Sequence, residues 1–163
     1  MSSIRIELSG EEALLDRLEN LSEVDAAAAM AEIGEALRTS TLERFDTGTD
    51  PEGRRWRTSI RAGASGGKTL VKSGQLKSSI HAESSEKGVA VGTNKIYAAT
   101  HQLGDSGRAI KAKDGGLLRF KIGDRWIAKK EVRVSIPARP FLGVSEEDMR
   151  EISRIMDEAV TGG

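Results

Sequence analysis

The hydrophobic repeat of this chain changes period twice, and a run with one period cannot serve as the other kind of element. Up to about residue 46 the apolar residues recur three and four apart, from about 77 to 136 they alternate, and from 145 the wider spacing returns. An opening strand is expected first, where Ile4, Ile6 and Leu8 alternate with Arg5 and Glu7. Ser9 and Glu12 then form a capping box for a helix over about 11–21, with Leu14, Leu15, Leu18 and Leu21 on its apolar face. A longer helix follows over about 24–46. Alanines 26–29 supply its propensity, Met30, Ile33 and Leu37 form a stripe, and Gly34 weakens it locally.

In the alternating region, Ile80 and Ala82 face Val89 and Val91 across a turn at Lys87-Gly88, as in a hairpin. Residues 97–103 read as a short helix ended by Gly104. A second hairpin is clearer. Leu118, Phe120 and Ile122 precede the turn Gly123-Asp124, and Trp126 and Ala128, then Val132, Val134 and Ile136, follow it. Beyond Pro137 and Pro140, Ser145 starts a last helix striped by Met149, Ile152, Met156 and Ala159. The pattern predicts an α+β fold: an antiparallel sheet of about four to five strands flanked by N-terminal helices and a C-terminal helix, with two long loops. A length of 163 residues suits one domain over 1–163. Segments 47–69 and 104–116, rich in glycine and poor in apolar repeats, are expected to be flexible arms or assembly loops.

Several chemistries are disfavoured. No apolar run approaches the roughly 18–20 residues of a membrane span, and the alternating start does not read as a secretory leader, so a soluble chain is expected. With no cysteine there is no disulfide, thiolate metal site or cysteine nucleophile. Gly63-Ala64-Ser65-Gly66-Gly67-Lys68-Thr69 imitates a phosphate-binding loop, but Ala62 stands where its first glycine belongs and no apolar strand precedes it. His81 and His101 are the only histidines. Neither has a second histidine or paired carboxylate at helical spacing, so no metal site is expected. His101 and Asp105 could join a serine only on paper, because no serine sits in a strand-to-helix elbow; no enzyme activity and no cofactor are expected.

Charge is more informative by segment than in total. Twenty-five basic and twenty-five acidic groups cancel, yet 1–46 holds four basic against eleven acidic, 47–80 seven against two, 104–140 ten against four, and 141–163 two against six. Acidic ends bracket a basic middle. Such segregation lets one face of a subunit attract a different face of its neighbour, although solvated helix faces alone would also be acidic.

Four blocks in order then carry a resemblance: Phe45-x-x-Gly48-x-Asp50-Pro51-x-Gly53-x-x-Trp56; Leu70-Val71-Lys72-Ser73-Gly74-x-Leu76; Val91-Gly92-Thr93-Asn94-x-x-Tyr97-Ala98-x-x-His101-Gln102-x-Gly104; and Ile136-Pro137-Ala138-Arg139-Pro140-Phe141-Leu142-Gly143. The order resembles the phage virion morphogenesis family, the tail completion proteins of Mu-like tailed phages. The resemblance implies a non-catalytic structural protein of the virion, at the tail end or head–tail junction, similar in architecture to neck and tail-terminator proteins. It implies a homo-oligomeric ring, of six copies if it matches a six-fold tail tube, with neck, connector and tail-tube proteins as partners and genomic DNA nearby in the channel. Assembly would take place in the bacterial host cytoplasm.

The residues suit that role. Pro51 and Gly53 form a turn presenting Trp56, which serves either as an anchor on its own core or as an aromatic hot spot on a neighbour. Gly92 and Gly104 permit close backbone approach, Tyr97 packs its ring, and His101 and Gln102 tie loop carbonyls. Pro140, Phe141 and Leu142 anchor the chain before the last helix, leaving Arg139 to find a carboxylate within or between subunits. Arg54, Arg55, Trp56, Lys111, Lys113 and Arg139 are the candidate interface residues. The rival reading is a DNA-contacting protein whose basic middle grips phosphates without sequence preference.

Overall fold

The structure is a computed structural model, and it describes residues 4–8, 23–122 and 124–161. Strand β1 (Ile4–Leu8) and helix α1 (Glu23–Thr47) form where the sequence pattern puts them. The helix read over 11–21, with its capping box, lies outside the described residues. Next come the short helices α2 (Ile60–Ser65) and α3 (Gln75–Ser78), strands β2 (His81–Ser85) and β3 (Gly88–Thr93), and helix α4 (Ala98–Leu103). Strands β4 (Asp105–Lys111), β5 (Leu118–Ile122), β6 (Arg125–Lys129) and β7 (Glu131–Ile136) precede the last helix, α5 (Glu146–Thr161).

The α+β class holds, but the strands divide into three antiparallel sheets instead of one. The first has the order β1-β3-β2, and β4-β7 and β5-β6 are two-stranded. In the first sheet Ile6 pairs with Val91 and Ala82 pairs with the same residue from the other side. Buried throughout from Val89 to Thr93, β3 is its centre. Helix α1 lies on this sheet. Gly34 explains how closely: a methyl group there would stand 3.3 Å from Ala82 Cβ and 3.4 Å from Val89 Cγ1. The residue that weakens the helix locally is the one that lets it reach the sheet.

The core joins Met30, Ile33, Leu37 and Phe45 of α1 to Val89 and Val91, to Phe141 and Leu142, and to Ile152, Ile155 and Met156 of α5. Ile155 takes the place expected for Met149, which is about half exposed, because the buried stripe turns slightly around the helix. Ser145 caps α5 as its sequence suggests: its Oγ accepts the Asp148 N–H at 3.1 Å, and the Asp148 carboxylate accepts the Ser145 N–H at 2.7 Å.

Both loop segments contain regular structure. Segment 47–69 opens with a tight turn in which Gly53 N–H donates to the Asp50 carbonyl at 2.9 Å, Thr49 bridges Arg55, and α2 follows. Segment 104–116 is largely strand β4, paired with β7, so Val132, Val134 and Ile136 do not extend the second hairpin. The glycine signal had a different cause. Gly107 adopts φ 94° where the β4–β7 register shifts, at a bulge that only a residue without Cβ adopts cheaply.

Candidate functional site

The four sequence blocks meet in space around the segment 136–143. Trp56 is 8% exposed and is an anchor of its own subunit: its indole N–H donates to the Pro140 carbonyl at 2.8 Å. Its ring meets Phe45 edge-on at 5.7 Å, and Phe45 in turn packs on Phe141 at 5.1 Å. Pro51 lies against Gly143 so tightly that a Cβ there would come within 2.4 Å of Pro51 Cγ. Gln102 is the bracket between the third and fourth blocks. Its Nε2 donates to the Leu142 carbonyl at 2.8 Å, and its Oε1 accepts the Phe141 and Leu142 N–H groups at 3.0 and 3.1 Å. Gly104 adopts φ 80°, and a Cβ would meet Ala138 N at 2.8 Å. Gly92 lies in β3, paired with Arg5 and His81. Pro140 is half-buried and Phe141 and Leu142 are buried, which fixes this strap to the core.

Arg44 is a clamp that the sequence did not advertise. Its guanidinium donates to the Phe141 carbonyl at 3.1 Å, the Gly143 carbonyl at 2.8 Å and Ser40 Oγ at 2.9 Å, and it forms a buried ion pair with Asp148. Burial alone would raise the Asp148 carboxyl. The Ser145 N–H, the Ser40 and Ser145 hydroxyls and Arg44 together outweigh it and hold the group below the usual carboxylate range. The signal was a lone arginine on the core side of α1, but its partner lies 104 residues away.

Beside the strap is a concavity of about 270 Å³ whose wall includes Arg61, Lys72, Tyr97, His101 and Arg139, and among the described residues no acidic one. Arg139 is 6% exposed, yet among the described residues no carboxylate pairs with it; its Nε donates to the Arg57 carbonyl at 2.8 Å. Its backbone N–H donates to the His101 carbonyl at 2.7 Å. The His101 Nδ1 is buried without a hydrogen-bond partner, and burial together with the nearby Arg139 charge pushes its pKa down. Tyr97 stays 39% exposed at the rim, edge-on to His101 at 6.1 Å, instead of packing into the core. Leu70, also on the wall, holds φ 62°, a left-handed conformation costing a leucine about 1–2 kcal/mol. Asp105 is paired with Arg108 at 2.8 Å, and among the described residues no hydrogen bond joins it to His101.

The other candidate interface residues are dispersed. Arg54 is held by Asp50 at 2.8 Å and Glu52 at 2.7 Å within its own turn, whereas Arg55 is exposed and free of ion pairs among the described residues. Lys111 lies 3.8 Å from Glu131 across the β4–β7 ribbon, and Lys113 is exposed in the turn after it. These two belong to a basic extension. From 103 to 138 no residue whose side chain is described is buried, and Trp126 is 73% exposed. Sequence reasoning did not single out Trp126 as a surface residue, because its place in an alternating strand reads as core. Among the described residues no helix is long and apolar enough to cross a membrane.

Comparison with known proteins finds similarity over most of the chain. The Mu-like prophage FluMu G protein 2 of Haemophilus influenzae is 29% identical over 151 residues, covering 91% of this chain and 90% of that protein. No solved structure matches. The model of the phage virion morphogenesis family matches residues 6–161, and the chain belongs to that family, whose part is in building the phage particle.

Proposed function

We propose that the chain is a ring subunit that completes the phage tail and joins it to the head, a structural role without catalysis or cofactor. The observation that carries this reading is the β4–β7 extension. Two ribbons without a buried side chain among those described cannot hold much apolar surface from water, yet they display Trp126, Leu117 and Ile110 together with nine basic groups against four acidic over 104–138. Exposed aromatics rimmed by charge are the composition of a surface that is covered on assembly. Repeated contacts between unlike faces close into a ring when the rotation allows, and six copies would match a six-fold tail tube. Family membership and the relative's description as a prophage protein support the phage setting. The protein would reside at the tail end or head–tail junction after assembly in the host cytoplasm, in contact with neck, connector and tail-tube proteins.

The test is to delete the gene in an inducible phage and image the lysate. Filled heads and separate tails are expected, with normal particles restored by the wild-type chain and six copies bound per particle. Joined, infective particles without the protein, or a single copy per particle, would refute the role. DNA binding is the competing reading for the basic extension. It predicts tight duplex binding by the isolated chain that falls steeply with salt, through counterion release.

A further inference from the structure

We propose that the basic notch beside the strap receives acidic side chains from the α1–α5 groove of a second copy of the chain, with Glu43 and Glu147 as the incoming carboxylates. This contact rests on the ring reading above and specifies which surfaces meet. The notch contributes Arg61, Lys72 and Arg139 and, among the described residues, no carboxylate. Arg139 is buried deeply enough that a missing counter-charge is costly, and its hydrogen bond to a carbonyl does not neutralise it. The unpartnered His101 Nδ1 adds a second unfilled position on the same wall.

The complementary surface lies elsewhere on the molecule. Between α1 and α5 a groove of about 450 Å³ is lined by Glu32, Glu35, Glu43, Glu147, Asp148 and Glu151, with no basic residue on its wall among the described residues. Some of these charges are matched from outside the groove: Glu35 by Arg38 at 3.1 Å, Glu151 by Arg154 at 2.7 Å, and Asp148 by Arg44. Glu43 and Glu147 are exposed and have no ion pair among the described residues. Notch and groove share no residue, so one copy can present its groove to the next while its own notch stays open. That is a heterologous contact, which propagates in one direction and closes as a ring when the rotation between copies allows.

Charge swapping tests it on the full chain. The notch variant is Arg61→Glu with Lys72→Glu, and the groove variant is Glu43→Lys with Glu147→Lys; Lys72, Glu43 and Glu147 are exposed and Arg61 is half-buried, its guanidinium donating to the Lys68 carbonyl at 2.6 Å, and circular dichroism checks that each variant folds. Sedimentation velocity at low and physiological salt should show each variant alone associating about 10-fold or more weakly than wild type, because like charges then face each other. An equimolar mixture should recover association, since each reversed surface finds an opposite one on the other variant. Variants that associate as wild type, or a mixture that fails to recover, would overturn this contact while leaving the ring itself standing. A wild-type chain still monomeric at millimolar concentration and low salt would overturn it as a self-contact, and a single copy per particle would remove the ring with it. Binding of a short DNA duplex that the notch variant abolishes would instead make the notch a phosphate site.

Discussion

Gln102→Met is the most direct probe of the architecture, because one flat amide joins two of the four sequence blocks. The substitution keeps side-chain length and removes three hydrogen bonds: one to the Leu142 carbonyl and two from the Phe141 and Leu142 N–H groups. Phe141 and Leu142 are buried, so water does not readily replace the lost partners. An unsatisfied buried group costs about 1–3 kcal/mol. With relief at the partly open side of Gln102, the three together should cost roughly 3 kcal/mol. For a chain of this size that is a fall in Tm of about 6–12 °C. Gln102→Glu separates the contributions, since it keeps the acceptor for both N–H groups and sets a carboxylate oxygen against the Leu142 carbonyl. Urea denaturation followed by circular dichroism provides the measurement. A loss below about 1 kcal/mol for Gln102→Met, or Gln102→Glu being as stable as wild type, would show that the strap is held without the Gln102 bracket.

Three further outcomes are expected. Arg44→Met leaves the Asp148 charge buried with its caps but without its counter-ion, at about 3–5 kcal/mol, and a double-mutant cycle with Asp148→Asn should show strong coupling; additivity would refute the clamp. Gly143→Val should be more damaging than a surface substitution, since a Cβ there would stand 2.4 Å from Pro51 Cγ, and thermal melting of Gly143→Val with and without Pro51→Ala would reveal whether that contact is responsible. The folded-state pKa of His101 is depressed, so the unfolded chain binds the proton more readily: stability should be level above about pH 6.5 and fall as the pH drops through the unfolded value, and His101→Gln should flatten that window in pH-dependent denaturation.

What could be read from the sequence was whatever is encoded locally. The alternations at Ile4–Leu8, around Val89 and Val91 and around Phe120 became strands, and Ser145 with its carboxylate partner three residues on set the start of α5. Trp56, which sequence left open between anchor and hot spot, was decided by the Pro140 carbonyl 84 residues away. Strand β4 was missed because its stability comes from β7 and its own residues, such as Arg108 and Lys111, show no apolar face. The notch was equally hidden. Its wall draws on residues from Ser59 to Arg139; the sequence singled out Tyr97, His101 and Arg139 one by one, but only folding brings Arg61, Lys72 and Arg139 together there with no carboxylate among the described residues.

The base of the extension has a consequence for how such a chain can change over time. Asp105 pairs with Ile136, so the two ends of the β4–β7 insertion leave the core side by side. Since no described side chain from 103 to 138 is buried, the intervening residues can lengthen, shorten or exchange sequence while the strap and its Gln102 bracket stay in place. Selection on partner fit and selection on foldability therefore act on separate stretches of one gene. A chimera carrying the extension of a relative on this core should melt at the temperature of the core donor and assemble with the partners of the extension donor.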